Sequence, residues 1–87
     1  MDLNEAILNV ESRWADAAAR YMRVKKVRIL REPEYIDEYE WGWVFCFVAE
    51  GESKSSPNRT RFAFHKVTKK STNVGTKGVR HALKFIV

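Results

Sequence analysis

The sequence predicts an α+β domain: an N-terminal helix, a three- to four-stranded antiparallel meander, and a C-terminal helix. Three observations carry this. Apolar residues recur at helical spacing through residues 2–21. Residues 41–50 form a continuous apolar and aromatic run with strand character. Shorter β-type runs follow, divided by loop composition, before a last helical pattern near the end. Eighty-seven residues suffice for one domain, spanning 1–87, with one modest core.

The first helix is set by Leu3, Ile7, Val10, Trp14, Ala17, Ala18 and Tyr21, which form one apolar stripe. Asp2 with Glu5 fits a capping box, and residues 15–19 are rich in alanine. Arg20 and Arg23 lie near the C-terminal end, where the helix dipole favours cations.

Residues 24–32 read as a partly exposed strand carrying Val24, Val27 and Ile29, stopped by Pro33. Residues 33–40 read as a polar, acidic connection. In 41–50, Trp41, Trp43, Phe45, Phe47 and Ala49 share one side, and Gly42, Val44, Cys46 and Val48 the other. Two apolar faces predict a central strand covered by a helix on at least one face.

Residues 51–58 have loop composition. Residues 59–66 form the next strand, with Phe62 and Phe64 opposite Arg61, Ala63 and His65. A lysine-rich turn leads to a short edge strand at 72–74. Thr76 is expected to cap a helix bearing Val79, Ala82, Leu83 and Ile86. The simplest architecture packs both helices on one face of the meander.

Charge is unevenly placed. Residues 1–40 hold 7 Lys/Arg against 9 Asp/Glu, and residues 41–87 hold 9 against 2. Residues 20–31 carry six basic and no acidic residues, and 32–40 five acidic and no basic ones. Such blocks either face a partner, or neutralise one another within the fold, or pair across a two-fold axis in a homodimer. A single cysteine cannot form an internal disulfide. No apolar run is long enough to span a membrane, and the acidic start is unlike a signal peptide. A cytoplasmic protein with no membrane partner is expected.

No catalytic constellation emerges. Cys46 could in principle pair with His65 or His81, but it sits in the most hydrophobic strand and reads as a small buried hydrophobe. Two distant histidines and one cysteine fall short of a metal site, and the acids of 32–40 lack calcium-loop spacing. Gly75-Thr76-Lys77-Gly78 is too short to cradle a nucleotide. No enzyme activity, cofactor or metal is therefore expected.

Two binding chemistries stay open. Arg61-Phe62-Ala63-Phe64 echoes the strand on which RNA-recognition motifs stack bases, and the Lys and Arg residues of 59–84 would contact phosphates. The order of elements differs from that fold, since this chain begins with a helix. Nucleic acid is the alternative partner. If Phe62 and Phe64 lie on an open sheet, that reading gains; if a helix covers them, it loses.

The second chemistry is protein binding. Gly42-Trp43-Val44-Phe45-Cys46-Phe47, then Phe62-Ala63-Phe64-His65-Lys66-Val67-Thr68, then Val74-Gly75-Thr76, then residues 79–83, occur in an order that resembles the immunity protein thirty-five family of bacterial polymorphic toxin systems. The N-terminal helix with Asn4-Glu5-Ala6 and Trp14 also fits. The similarity covers 3–21 and 41–84. In that pattern an acidic residue stands at the place of His65, a turn glycine at the place of Lys69 and an apolar residue near the place of Ser71. The resemblance implies stoichiometric inhibition of a protein partner, a toxin or a defence effector. Such a binder needs aromatic and arginine anchors ringed by polar residues. Tyr35, Tyr39, Trp41, Arg59 and Arg61 are the candidates.

Overall fold

A computed structural model describes residues 2–87. Helix α1 (Leu3–Met22) is capped by Asp2, whose Oδ1 accepts the Glu5 amide at 2.8 Å. It ends at Arg23, which adopts the left-handed conformation (φ 60°). Its buried residues are Ala6, Ile7, Val10, Ala18, Ala19 and Met22; Leu3 and Tyr21, expected on the apolar stripe, are exposed at the two ends of the helix.

Five strands follow: β1 (Val27–Ile29), β2 (Asp37–Tyr39), β3 (Gly42–Ala49), β4 (Arg59–His65) and β5 (Ser71–Asn73). A short helix α2 (Val79–Leu83) comes last. All pairings are antiparallel. Strand β3 is central, as expected, and buried along its whole length. One of its edges pairs with β4, which pairs with β5. Its other edge is shared: β1 pairs with residues 47–49 and β2 with residues 42–44. Between them the chain leaves the sheet at 30–36 and makes one turn of 3-10 helix at Pro33–Tyr35. The fold is thus the expected α+β meander with flanking helices.

Further particulars differ from the sequence reading. The first strand is shorter, because the helix cap consumes Arg23 and Val24, the Val24 amide donating to the Ala19 carbonyl at 3.0 Å. Residues 37–39 form a strand despite being exposed throughout. The helices do not share a face. Helix α1 covers Trp43, Phe45, Phe47, Phe62 and Phe64, whereas Ala82 and Ile86 pack on Val44 and Ala63 from the other side. Finally, Thr76 does not cap α2. Gly78, at φ 92°, precedes the helix and no side chain caps it.

The excursion at 30–36 completes the second face. Leu30 and Tyr35 pack with Cys46 and Val48. Both faces of the sheet are therefore covered, which is why every residue of β3 can be apolar. Trp14 ties the first face to the outer strand: its indole Nε1 donates to Ser71 Oγ at 2.7 Å.

The charge blocks neutralise partly within the chain. Glu34 meets Lys54 at 3.5 Å, Glu38 meets Lys66 at 3.4 Å, and Arg31 meets Glu11 at 2.9 Å. The acidic segment is matched by lysines of the basic C-terminal half, not by the adjacent 20–31 block. These pairs are solvent-exposed and contribute at most about 1 kcal/mol each.

Candidate functional site

The five candidate anchors gather on the second face of the sheet, in two groups. Register builds the first. Tyr39 lies opposite Gly42, and Gly42 opposite His65, so the three form one row. Trp41 belongs to the tight connection between β2 and β3, not to the β3 alternation. Its ring therefore packs on the second face, away from Trp43, where residue parity alone would have placed it with Trp43. It stacks on Tyr39 with centroids 4.9 Å apart and planes 12° apart, and on His65 at 6.1 Å. Tyr39 is exposed and Trp41 half-buried.

Gly42 makes this packing possible. A Cβ there would lie 1.9 Å from the Phe64 carbonyl oxygen. Residue 42 must be glycine for β3 and β4 to approach as they do.

His65 has a second task. Its Nδ1 accepts the amides of Val67 at 3.1 Å and Thr68 at 3.2 Å, closing the β4–β5 turn. A carboxylate at that position could accept the same two amides. Lys69, in the same turn, has φ 61°. A left-handed residue is where glycine costs least. Lys69→Gly is expected to stabilise the fold by roughly 0.5–1 kcal/mol, read as a raised urea midpoint.

The second group lies at the other end of the face. Arg59 stands opposite Val48 and Arg61 opposite Cys46. The Arg59 guanidinium sits 4.9 Å above the Tyr35 ring. Its Nε donates to the Ser56 carbonyl at 2.7 Å and its Nη2 to the Lys54 carbonyl. Arg59 thus fastens the 51–58 loop and the 3-10 turn together. Arg61 is exposed and makes no ion pair among the described residues. A concavity of ≈ 350 Å³ opens here, lined by Arg59, Arg61 and Thr76 beside Cys46.

Cys46 lies four positions beyond Gly42 along β3, about 13 Å of strand. The middle row, Val44 with Ala63, is covered by Ala82 and Ile86. The anchors therefore flank the C-terminal segment and do not form one continuous patch. His65 and Gly42 complete the first group without being among the five candidates; a glycine between two tryptophans already signals close backbone approach in the sequence, whereas nothing local marks His65.

Cys46 is 5% exposed, in contact with Leu30 and Val48. Burial raises its thiol pKa; Arg59 and Arg61 pull it down, and Asp37 adds to the rise. The net direction is upward, so the neutral thiol is favoured over the nucleophilic thiolate. Native Cys46 is expected to react with a thiol reagent at least roughly tenfold more slowly than the urea-unfolded chain, in a timed labelling assay.

Among the described residues no group of three or more His, Cys, Asp or Glu is placed to hold a metal ion. No helix among them is long and apolar enough to cross a membrane. Phe62 and Phe64 are 3% and 0% exposed beneath α1, so neither can stack on a base. Comparison with family models, curated proteins and solved structures returned no match.

Proposed function

We propose that this chain is a small non-catalytic inhibitor of the toxin-immunity kind, which neutralises a protein partner in the cytoplasm by stoichiometric binding. The observation that carries the reading is the pre-stacked Tyr39–Trp41–His65 row, with Arg61 exposed further along the same face. Aromatic and arginine side chains dominate binding energy at protein interfaces, and stacking before contact lowers the ordering cost. The β4–β5 turn adds support. His65 accepts two amides where the resembled pattern has an acidic residue, and Lys69 is left-handed where that pattern has glycine. The hairpin geometry is therefore compatible with the resemblance at these two positions.

The test is co-purification with the product of the neighbouring gene, followed by titration of that protein's activity. Inhibition saturating at a fixed ratio is the expected result. Trp41→Ala with Arg61→Ala should weaken it by about 30-fold or more, from roughly 2 kcal/mol for a single hot spot. A neighbouring protein that neither binds nor loses activity would overturn the reading.

Nucleic acid remains the second reading, on one observation: residues 53–87 carry nine Lys/Arg and no Asp or Glu. With Phe62 and Phe64 covered, that reading rests on phosphate contacts alone. A salt titration with single-stranded RNA and duplex DNA decides it, since phosphate binding must weaken steeply as salt rises.

A further inference from the structure

The sheet has an open edge at β5, and the chemistry around it is one-sided. The His65 amide donates to the Lys70 carbonyl, and the Val74 amide to the Arg61 carbonyl, both at 2.9 Å. Antiparallel alternation then directs the Thr72 backbone groups to β4 and those of Ser71 and Asn73 outward. Two concavities adjoin this edge. One, of ≈ 400 Å³, is lined by Arg13, Lys69 and Lys70; the other, of ≈ 240 Å³, by Lys77 and His81. Phe85, 63% exposed, belongs to both. The ion pairs of the described residues use Arg31, Lys54 and Lys66, and leave these four cations without a carboxylate.

A short edge strand flanked by lysines normally repels other strands. The same cations attract a strand of opposite charge. We propose that β5 is a docking edge for an acidic extended segment of a protein partner, which adds to the sheet antiparallel or parallel to Ser71–Asn73. The edge offers carbonyls as well as amides. A polypeptide strand satisfies both, whereas phosphate oxygens would face the Ser71 and Asn73 carbonyls unfavourably. Phe85 meets the His81 ring edge-on, with centroids 5.2 Å and planes 66° apart, whereas single-stranded nucleic acid binds through successive parallel stacking platforms. Acidic side chains of the added strand would reach Lys69 and Lys70 at one end and Lys77 at the other, with an apolar side chain against Phe85. The identity of the occupant as a protein rests on the function proposed above; the edge itself does not.

The probe is a capped nonapeptide alternating Glu with Val, compared with its Lys counterpart and with a nine-residue thymidine oligonucleotide. Amide hydrogen exchange is followed by NMR on the full chain. The Glu peptide is expected to slow exchange at Ser71 and Asn73 by about tenfold or more, with Thr72 unchanged, because only outward amides gain partners. Lys69→Glu with Lys70→Glu should weaken binding by about tenfold, while Trp41→Ala leaves it intact. Cooperative urea unfolding followed by far-ultraviolet circular dichroism confirms that the variants fold. Four results overturn the proposal: no capture of the Glu peptide, binding without protection of Ser71 and Asn73, tighter capture of the oligonucleotide at Phe85, or protection of that edge in the peptide-free chain that grows with protein concentration. The last would seat the acidic β2 of a second copy there. Peptide capture with no inhibited partner would fault the inhibitor reading alone; inhibition without peptide capture would fault this one alone.

Discussion

Gly42→Ala is expected to lose about 3 kcal/mol or more of stability, because the added methyl meets backbone on the facing strand. Its Cβ would lie 1.9 Å from the Phe64 carbonyl oxygen, 3.0 Å from the Phe64 carbonyl carbon and 3.1 Å from the His65 Cα. A side chain could rotate away from such a contact. A peptide group in the central strand pair can move only by separating β3 from β4. A domain of 87 residues has about 4–13 kcal/mol in total, so much of the margin disappears. Urea unfolding monitored by circular dichroism reads the loss directly. A midpoint equal to that of the parent would mean that β3 and β4 are not this close. The same substitution displaces the Tyr39–Trp41–His65 row, so surviving folded protein should also bind a partner less well.

Phe45→Ala is expected to cost about 3–5 kcal/mol. Phe45 is 0% exposed, stands opposite Phe62, and stacks near Trp43 with centroids 6.2 Å apart. Its removal leaves a hole in the layer between α1 and the sheet, which the rigid strand pair cannot collapse to fill. Denaturant unfolding should show a lower midpoint with an unchanged slope, since the exposed surface scarcely differs. Val67, 80% exposed in the β4–β5 turn, supplies the control. Val67→Ala should shift stability by under about 0.5 kcal/mol. Equal losses at the two positions would refute the assignment of the core.

Elements governed by local periodicity were legible before the structure. The middle of the α1 stripe (Ile7, Val10 and Ala18), the doubly apolar β3 and the Phe62/Phe64 parity of β4 follow from side-chain geometry, whereas Leu3 and Tyr21, at the helix ends, have nothing above them to pack against and are exposed. Strand β2 was not legible. Asp37-Glu38-Tyr39 has no apolar alternation, and it pairs because the connection at 40–41 folds it back on β3. The face that α2 covers is not legible for a similar reason. Val79, Ala82, Leu83 and Ile86 fit either face equally well, and α1 already occupies the first. Among the anchors, Tyr39 and Trp41 lie close in sequence, yet their stacking on His65 depends on strand register. The Tyr35–Arg59 contact joins residues 24 positions apart, through a loop whose composition says nothing of its path.

The three tryptophans divide in a way that makes the molecule its own spectroscopic instrument. Trp43 is 6% exposed beneath α1, so its emission follows unfolding of the first core. Trp41, half-buried on the opposite face between Tyr39 and His65, is the fluorophore that a partner at those anchors would quench or shift. Trp14 holds Ser71 of the open edge through its indole nitrogen. Chains retaining one indole each, with phenylalanine at the other two positions, would report separately on the core, the anchor face and the β5 edge, without an attached dye.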